Sequence, residues 1–306
     1  MKVLVTGGAG FIGSNVVSAL LERGDEVRVL DNFSTGSRDN LEGLDVEVVE
    51  GELRSWERVH AAVRGVELVF HLGALGSVPR SVQDPLTSSA VNVEGTLNVL
   101  LAARDENVRR VVFSSSSSVY GSSGELPRTE EMAPDPISPY GVAKLAAERY
   151  CVSFSRVYEQ FETVVLRYFN VFGPRQSPLS QYAAVVPLFV THIARGEPIV
   201  VYGDGEQSRD FTYVANVVDA TLRAGGAPGA SGRIFNVAAG QPASVNDLAA
   251  AVGRILDRPV ARQEAPPRPG DVRDSWANID AARTALGYEP VVSLEAGLRL
   301  TIDALL

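Results

Sequence analysis

Short apolar runs alternate along the first half of the chain with segments whose apolar residues recur at helical spacing. The run Lys2–Thr6 is followed by glycines and then by apolar residues at Ile12, Val16, Val17, Leu20 and Leu21. Short continuous apolar runs are typical of strands buried on both faces of a parallel sheet. Further strands are predicted at Glu26–Leu30, Val46–Val49, Glu67–His71, Arg110–Ser115 and Thr163–Arg167. Helices are predicted at Trp56–Val63, Val91–Arg104 and Tyr140–Tyr158. Strands separated by helices predict an α/β fold with a doubly wound parallel sheet, the Rossmann arrangement.

This alternation ends near Asn170, where stretches rich in proline and glycine begin. Strands are predicted at Pro198–Val201 and Ile234–Val237, a rigid loop at Ala265–Gly270, and helices at Ile279–Leu286 and Leu294–Leu305. We therefore expect a sheet domain over residues 1–169 and a smaller α/β domain over residues 170–306, with a segment near 210–240 returning to the sheet domain. The cleft between the two domains is the expected ligand site.

The composition narrows the function classes. The 306 residues include 28 basic and 37 acidic side chains, and the net charge of −9 argues against general binding of nucleic acid or of an anionic membrane. One cysteine, Cys151, and three scattered histidines predict neither a disulfide nor a metal site. No apolar window has the length of a membrane span, and the first apolar run is too short for a signal peptide. A cytoplasmic location is expected.

A glycine triplet follows the first predicted strand. Gly7, Gly10 and Gly13 stand where the backbone must turn tightly and approach a pyrophosphate at a helix N-terminus. Asp31 ends the second strand 18 residues beyond Gly13, where a carboxylate accepts hydrogen bonds from a ribose diol. A carboxylate repels a 2′-phosphate, so NAD is favoured over NADP, although Arg38 lies nearby. The sequence predicts an NAD site.

A second motif opens the helix predicted from Tyr140. Ser138 is a favourable N-cap and Pro139 a favourable first helical residue. Tyr140 and Lys144 are spaced i and i+4, so they lie on the same helix face. An ammonium near a phenol favours the phenolate, which predicts a base that works near neutral pH. The spacing alone favours a tyrosine–lysine pair on the surface.

The segment Phe113–Gly121, with five consecutive serines, ends the fifth predicted strand, at the edge where open α/β sheets bind ligands. With the two motifs above, it resembles the extended short-chain dehydrogenase/reductase family, and the resemblance covers the whole chain. The resemblance implies that Tyr140 is the acid and base and that Lys144 binds the nicotinamide ribose and tunes Tyr140. It also implies that Ser116 contacts the reacting oxygen, with Ser117 as an auxiliary.

The resemblance also separates reaction types within the family. Dehydratases and decarboxylases of sugar nucleotides carry acidic residues just after the strand-five serine or threonine, whereas this chain has Ser117 and Ser118. It is therefore similar to the 4-epimerases, which oxidise the sugar transiently to a 4-keto form. NAD is then regenerated in each cycle and stays tightly bound.

The family resemblance assigns cofactor contacts residue by residue. They are Gly7, Gly10, Phe11, Ile12, Gly13, Asp31, Asn32, Thr35, Gly36, Glu52, Leu53, Leu72, Ala74, Asn92, Tyr140, Lys144 and Tyr168. Gly73 and Glu52 stand where alanine and aspartate are common in the family, so contacts to adenine and nicotinamide are less well defined there.

Two segments, Ala74–Ser81 and Gln181–Pro187, resemble the bacterial UDP-N-acetylglucosamine 4-epimerases. The resemblance implies a UDP-sugar site formed by Gly76, Ser77, Ser116, Ser117, Asn170, Gln176, Ala184, Arg209, Arg268, Asp271 and Ser275. Arg209 and Arg268 would face the diphosphate, since a guanidinium offers a fork of donors. Ser275 is small where epimerases restricted to UDP-glucose often have tyrosine, and this leaves room for an acetamido group at C2.

Other interpretations stay open at this stage. UDP-glucose and UDP-galactose are alternative substrates, whereas UDP-glucuronate needs a further cationic group that the sequence does not identify. A non-catalytic NAD-sensing scaffold is a remote alternative, because such proteins lose the catalytic tyrosine or lysine. The resemblance implies a homodimer in which the helices Val91–Arg104 and Tyr140–Tyr158 of each copy form a four-helix bundle.

Overall fold

The structure is a computed structural model that describes residues 1–122, 124–177, 184–266 and 272–306. Its strands are β1 (Lys2–Thr6), β2 (Glu26–Asp31), β3 (Val46–Glu50), β4 (Leu68–His71), β5 (Arg110–Ser116), β6 (Glu162–Tyr168), β7 (Val171–Phe172), β8 (Ile199–Tyr202), β9 (Ser208–Arg209), β10 (Thr212–Tyr213), β11 (Arg233–Val237), β12 (Ala243–Ser244), β13 (Arg262–Ala265) and β14 (Asp274–Ser275). Its α-helices are α1 (Phe11–Glu22), α2 (Trp56–Val63), α3 (Val78–Gln83), α4 (Pro85–Ser89), α5 (Gly95–Asp105), α6 (Pro139–Val157), α7 (Val185–Arg195), α8 (Val214–Gly226), α9 (Val245–Leu256), α10 (Asp280–Leu286) and α11 (Leu294–Leu305). Short 3₁₀ turns lie at Arg38–Leu41 and Ser117–Val119.

The main sheet has seven strands in the order β3-β2-β1-β4-β5-β6-β11. Every neighbouring pair is parallel, and the first six strands follow the order of doubly wound dinucleotide-binding folds. The predicted Rossmann sheet is therefore confirmed. The first half of the chain predicts only six of the strands. The seventh, β11, comes from the second half and pairs with β6 after α8 has packed against α1.

One predicted helix is divided. Val91–Arg104 was expected as one α-helix, but residues Ala90–Glu94 form a π-helical turn before α5. In this turn the side chain of Asn92 accepts a hydrogen bond from the Leu75 N–H at 2.8 Å and donates to the Leu75 carbonyl at 3.3 Å. The wider turn brings the carboxamide onto a loop at the carboxyl edge of the sheet, which is a frequent use of π-helical turns.

The remaining strands form small sheets beside the carboxyl edge of the main sheet. β9 lies between β12 and β14, β8 pairs with β13, and β7 pairs with β10. The sequence predicts only β8 among these: five of the others have two residues, too few to show periodicity, and β13 is a mostly polar, exposed segment without an apolar run. Asp210 links this region, since its carboxylate accepts hydrogen bonds from the backbone N–H groups of Ala239, Gly240 and Ala277.

No helix in the described part of the chain is long and apolar enough to cross a membrane. Within the same described ranges, no group of three or more histidine, cysteine, aspartate or glutamate side chains is placed to hold a metal ion.

Candidate active site

The glycine loop between β1 and α1 is closed too tightly for side chains. Gly7 has φ of +70°, and a Cβ added to it lies 2.7 Å from the Cα of Gly73. A Cβ added to Gly13 lies 2.0 Å from the carbonyl oxygen of Gly7. Gly10 is the N-cap of α1 and offers no side chain to the first N–H groups of the helix. These donors therefore remain available for an anionic group, so the loop fits a dinucleotide diphosphate.

A cavity of about 600 Å³ opens in front of this loop. Most of the predicted cofactor residues line it: Gly7, Gly10, Phe11, Ile12, Gly13, Asp31, Asn32, Thr35, Gly36, Glu52, Leu53, Leu72 and Ala74. The same cavity reaches four predicted substrate residues, Gly76, Ser77, Gln176 and Ala184. One continuous space therefore joins the two predicted binding regions.

Asp31 lines the cavity at the end of β2. Its carboxylate accepts hydrogen bonds from the N–H groups of Ala9, at 2.9 Å, and Phe33, at 2.8 Å. Two oxygens with several lone pairs can accept further bonds from a ribose diol. Arg38 forms an ion pair with Glu50 and stacks on the Phe33 ring, 4.0 Å from its centroid. Because Arg38 is engaged in this way, the site offers little attraction for a 2′-phosphate and fits NAD.

The predicted catalytic residues lie on neighbouring elements. Ser116 ends β5, and Tyr140 and Lys144 lie on the first turns of α6. Ser138 caps α6 by accepting a hydrogen bond from the Gly141 N–H at 3.1 Å. The hydroxyl of Ser116 lowers the pKa of the Tyr140 phenol and itself donates to the Ser118 hydroxyl at 3.1 Å. These three side chains do not line the large cavity, but Ser114 of the same strand does.

The protonation of this group differs from the expectation of a phenolate. Burial raises the pKa of Tyr140 to about 12, although Ser116 opposes the shift. The ammonium of Lys144 donates to the Ser114 carbonyl at 2.9 Å and lies 6.0 Å from the centre of the Tyr140 ring, so its charge acts on the phenol from a distance. Burial also lowers the pKa of Lys144 to about 8. At neutral pH Tyr140 is therefore in its neutral form, which is the acid.

A second cavity, of about 330 Å³, lies in the second half of the chain. Asn170 and Arg209 line it, together with Gln207, Tyr202 and Phe189. Amide groups, aromatic rings and a guanidinium are the groups that bind a base and a phosphate. Arg209 also donates to the carbonyls of Ser208 and Arg273, so its guanidinium is fixed on the backbone.

Several predicted residues lie elsewhere. Ser117 follows Ser116 in a 3₁₀ turn, and Ser275 lies in β14 beside Arg209; these described residues line neither cavity. Asn92 is bonded to the Leu75 backbone, and the Tyr168 hydroxyl is bonded to Thr221 at 2.7 Å. Arg268 and Asp271 lie outside the described residues.

Two basic residues of the large cavity were not identified from the sequence. Arg80 lies on α3, next to the predicted contacts Gly76 and Ser77. Arg175 follows Pro174 with φ of +69°, and it donates to the Ser14 carbonyl and to the Ser18 hydroxyl on α1. Arg175 follows the predicted contact Asn170 in the chain, but only the fold brings it against α1.

Comparisons with known proteins agree with this geometry. The model of the NAD dependent epimerase/dehydratase family matches residues 3–238. The UDP-glucose 4-epimerase of Mycolicibacterium smegmatis is 38% identical over an alignment of 314 positions that covers 99% of this chain and 98% of that protein.

Solved structures give the same relationship in three dimensions. The UDP-glucose 4-epimerase of Thermotoga maritima, solved with UDP-glucose, matches with a TM-score of 0.95 and 40% identity over 99% of this chain and 98% of its own. The UDP-N-acetylglucosamine 4-epimerase of Methanobrevibacter ruminantium, solved with UDP-N-acetylmuramic acid, matches with a TM-score of 0.94 and 37% identity over 99% of this chain and 97% of its own.

Proposed function

This chain belongs to the NAD dependent epimerase/dehydratase family, and from that premise we propose that it interconverts UDP-N-acetylglucosamine and UDP-N-acetylgalactosamine. The broader activity is that of an NAD-dependent UDP-sugar 4-epimerase, an isomerase. The observation that carries the proposal is the single cavity that runs from the glycine loop and Asp31 to Gly76, Ser77 and Ala184.

The chain's own residues supply binding and proton transfer. NAD, when bound along the glycine loop and Asp31, supplies an acceptor for the hydride at C4 of the sugar and gives the hydride back. Tyr140 takes the proton from the O4 hydroxyl and returns it, which is the acid and base role that the family resemblance gives to this tyrosine. Ser116 donates a hydrogen bond to O4, and Lys144 supplies positive charge that favours the ionised phenol.

A neutral tyrosine fits this cycle, because the phenol has to donate a proton as well as take one up. Positive charge near a phenol lowers its pKa, and Lys144 supplies such a charge. Ser117 and Ser118 follow the catalytic serine in place of acidic residues, and elimination of water therefore lacks its proton donor at these positions. Epimerisation is the chemistry that the residues support.

We assign the UDP part of the substrate to the second cavity. Arg209 would bind the diphosphate, and Asn170, Gln207 and the nearby aromatic rings would contact the nucleoside. The predicted contacts Arg268 and Asp271 belong to the same proposal. The sugar would extend towards Gly76, Ser77 and the catalytic end of β5.

Small residues support the N-acetylated substrate. Gly76 lines the cavity, and a Cβ added there meets nothing within 4 Å. Ala184 lines the same cavity, and Ser275 is the small residue of the predicted C2 contact. The open space at Gly76 would accommodate an acetamido group. UDP-glucose is the second candidate, because two of the relatives described above bear that activity in their names.

The test is incubation of the purified protein, without added cofactor, with UDP-N-acetylglucosamine, UDP-N-acetylgalactosamine, UDP-glucose and UDP-galactose. Separation of the products identifies each epimer. We expect interconversion of the N-acetylated pair at the higher kcat/KM. Exclusive conversion of the glucose pair overturns the substrate proposal, and no conversion of any pair overturns the function.

We also propose that the protein works in the cytoplasm as a homodimer formed through the helical region of α5 and α6. Val142 and Tyr150 support this interface, because they lie two turns apart on α6 with 53% and 40% of their surfaces exposed. Sedimentation of wild type and of Val142→Glu tests it: the wild type should be a dimer and the variant a monomer. A monomeric wild type contradicts it.

A further inference from the structure

Three consecutive serines of β5 contact three consecutive turns of α6. The carbonyl of Ser114 accepts a hydrogen bond from the Lys144 ammonium. The hydroxyl of Ser115 donates to the Glu148 carboxylate at 2.5 Å. Ser116 lies beside Tyr140, as described above. The run of serines therefore fixes the register between the catalytic strand and the catalytic helix.

Glu148 has a second partner on the neighbouring strand. Arg167 of β6 donates to both carboxylate oxygens, at 2.9 and 2.8 Å. Arg167 is the ladder partner of Ser115, so both contacts come from the same level of the sheet. The exposed fractions of the side chains are 0% for Glu148 and 1% for Arg167. Because no solvent screens this ion pair, its charges interact strongly with neighbouring charged groups.

Lys144 is the nearest catalytic group to this pair. Residues 140, 144 and 148 are spaced by one turn each, so Lys144 lies between Tyr140 and Glu148 on one helix face. The titratable and charged groups that face Lys144 are Tyr140, Glu148 and Cys151 on α6, His71 on β4 and, through Glu148, Arg167 on β6. Among these groups, Glu148 is the only carboxylate.

Burial alone would favour a neutral amine at Lys144. Burial lowers its pKa to about 8, and the Glu148 carboxylate is one of the groups that oppose this shift. Burial also lowers the pKa of His71 to about 3, so His71 adds no positive charge at neutral pH. The positive charge of Arg167 disfavours a second positive charge at Lys144. The two charges of the ion pair therefore shift the pKa of Lys144 in opposite directions.

We propose that Glu148 is a positioning residue that keeps Lys144 cationic, and that the opposite charge of Arg167 limits this effect. The proposal rests on the proposed function, since proton transfer by Tyr140 requires the positive charge of Lys144. Glu148, one helical turn beyond Lys144, is thereby added to the residues that take part in the reaction.

The test uses variants that remove one charge at a time. Glu148→Gln keeps the shape and the acceptor for Ser115 but removes the negative charge. Arg167→Gln removes the positive charge and leaves an uncompensated carboxylate. Arg167→Lys keeps the charge. The matched control is Glu162→Gln, which breaks an ion pair with Arg110 at the opposite end of the same two strands.

The first measurement is the alkaline limb of kcat against pH, with the better UDP-sugar substrate. An opposite charge close by shifts a pKa by about one unit or more, so we expect Glu148→Gln to move this limb by about one pH unit to lower pH. Arg167→Gln should move it to higher pH. Arg167→Lys and Glu162→Gln should leave it unchanged, and KM should change less than kcat.

A purely structural role gives a different result. If the ion pair is only structural, both Gln variants have a lower melting temperature and lose activity by the same factor at every pH. The alkaline limb of kcat then does not move. That outcome overturns the proposal. Shifts of the alkaline limb in opposite directions in Glu148→Gln and Arg167→Gln support the proposal. Damage to packing would not shift the limb in a direction that depends on which charge is removed.

A second measurement does not depend on activity. The free energy of unfolding of the wild type should rise with pH where Lys144 loses its proton, and in Glu148→Gln this rise should begin at lower pH. If the wild type converts no UDP-sugar, the proposed function fails while this measurement still tests Glu148. If the wild type is active and neither the limb nor the rise moves, the inference about Glu148 fails alone.

Discussion

The carboxylate of Asp31 accepts a hydrogen bond from the N–H of Ala9 at 2.9 Å, and so ties the end of β2 to the glycine loop. The same carboxylate accepts from the Phe33 N–H and lines the large cavity. Asp31 therefore orders the loop that would hold the diphosphate and also offers lone pairs to the ribose. These two roles make cofactor retention especially sensitive to this position.

Wild-type protein should retain NAD through purification, because oxidation and reduction take place in one site and need no exchange of cofactor. Denaturation of a dialysed sample should release NAD, measured enzymatically in the supernatant. Asp31→Ser should retain much less NAD, since it loses the acceptor for both N–H groups and for the ribose. Arg38→Gln is the control and should retain NAD, because Arg38 pairs with Glu50. Absence of NAD from the wild type, with dependence on added NADP, contradicts the role of Asp31.

Tyr140→Phe should remove the acid and base while leaving the cavity intact. General acid–base catalysis contributes typically 100-fold to 10,000-fold, so turnover should fall by at least about 100-fold. Binding of the nucleotide, measured by calorimetry, should change little. Tyr158→Phe, at the C-terminal end of the same helix, is the matched control. A Tyr140→Phe variant as active as the wild type removes Tyr140 from the mechanism.

The parts of this molecule that sequence predicts are those encoded by neighbouring residues. The spacing of Gly7, Gly10 and Gly13 and the distance to Asp31 are local, and they predict the first βαβ unit and its ligand. The relation between Tyr140 and Lys144 follows from helical periodicity. The doubly wound sheet follows from the alternation of strands and helices.

The remaining features depend on contacts between distant segments. The sequence predicts that a segment near 210–240 returns to the sheet domain, but the pairing of β11 with β6 and the contact of Arg175 with α1 are visible only in the fold. The neutral state of Tyr140 arises from burial, which the sequence does not specify. The Glu148–Arg167 ion pair joins α6 to β6, and neither segment alone has a sequence pattern that predicts this pair.

Lys144→Met should stabilise the folded protein at pH 7. Burial lowers the pKa of Lys144 from its ordinary 10.5 to about 8, so the unfolded chain binds more protons than the folded protein between these values. The free energy of unfolding of the wild type therefore rises with pH in this window, by up to about 3 kcal/mol. Lys144→Met lacks this rise, so its advantage should shrink as the pH increases from 7 to 10.

Urea unfolding of both proteins at pH 7, 8, 9 and 10 measures this difference. Groups such as Cys151, whose pKa burial raises, are common to both proteins and cancel in the comparison. Lys2→Met is the control, because a hydrogen bond with Glu26 raises the pKa of Lys2 and no gain at pH 7 is expected. If the difference in the free energy of unfolding between Lys144→Met and wild type is the same at every pH, the charge on Lys144 does not destabilise the folded protein, and the prediction is wrong.

Ser275→Tyr should change the choice of substrate. The backbone of Ser275 is fixed, because its carbonyl accepts a hydrogen bond from the Asp210 N–H at 2.9 Å and β14 pairs with β9. Because the backbone cannot shift, a larger side chain at this position occupies volume that neighbouring groups or a bound ligand would otherwise fill. If these include the C2 substituent, a tyrosine occupies volume that an acetamido group needs and a hydroxyl does not. Overpacking costs typically 1 to 3 kcal/mol, so kcat/KM for UDP-N-acetylglucosamine should fall on the order of 10- to 150-fold.

UDP-glucose should be nearly unaffected by Ser275→Tyr, so the measured quantity is the ratio of kcat/KM for the two substrates in each protein. Ser275→Ala is the matched control: it removes the hydroxyl without adding volume, and its ratio should equal that of the wild type. A parallel fall for both sugars in Ser275→Tyr indicates damage to the small sheet that contains β14. An unchanged ratio means that Ser275 does not face C2, and the open space at Gly76 is then the position to fill next, since a side chain there enters the large cavity directly.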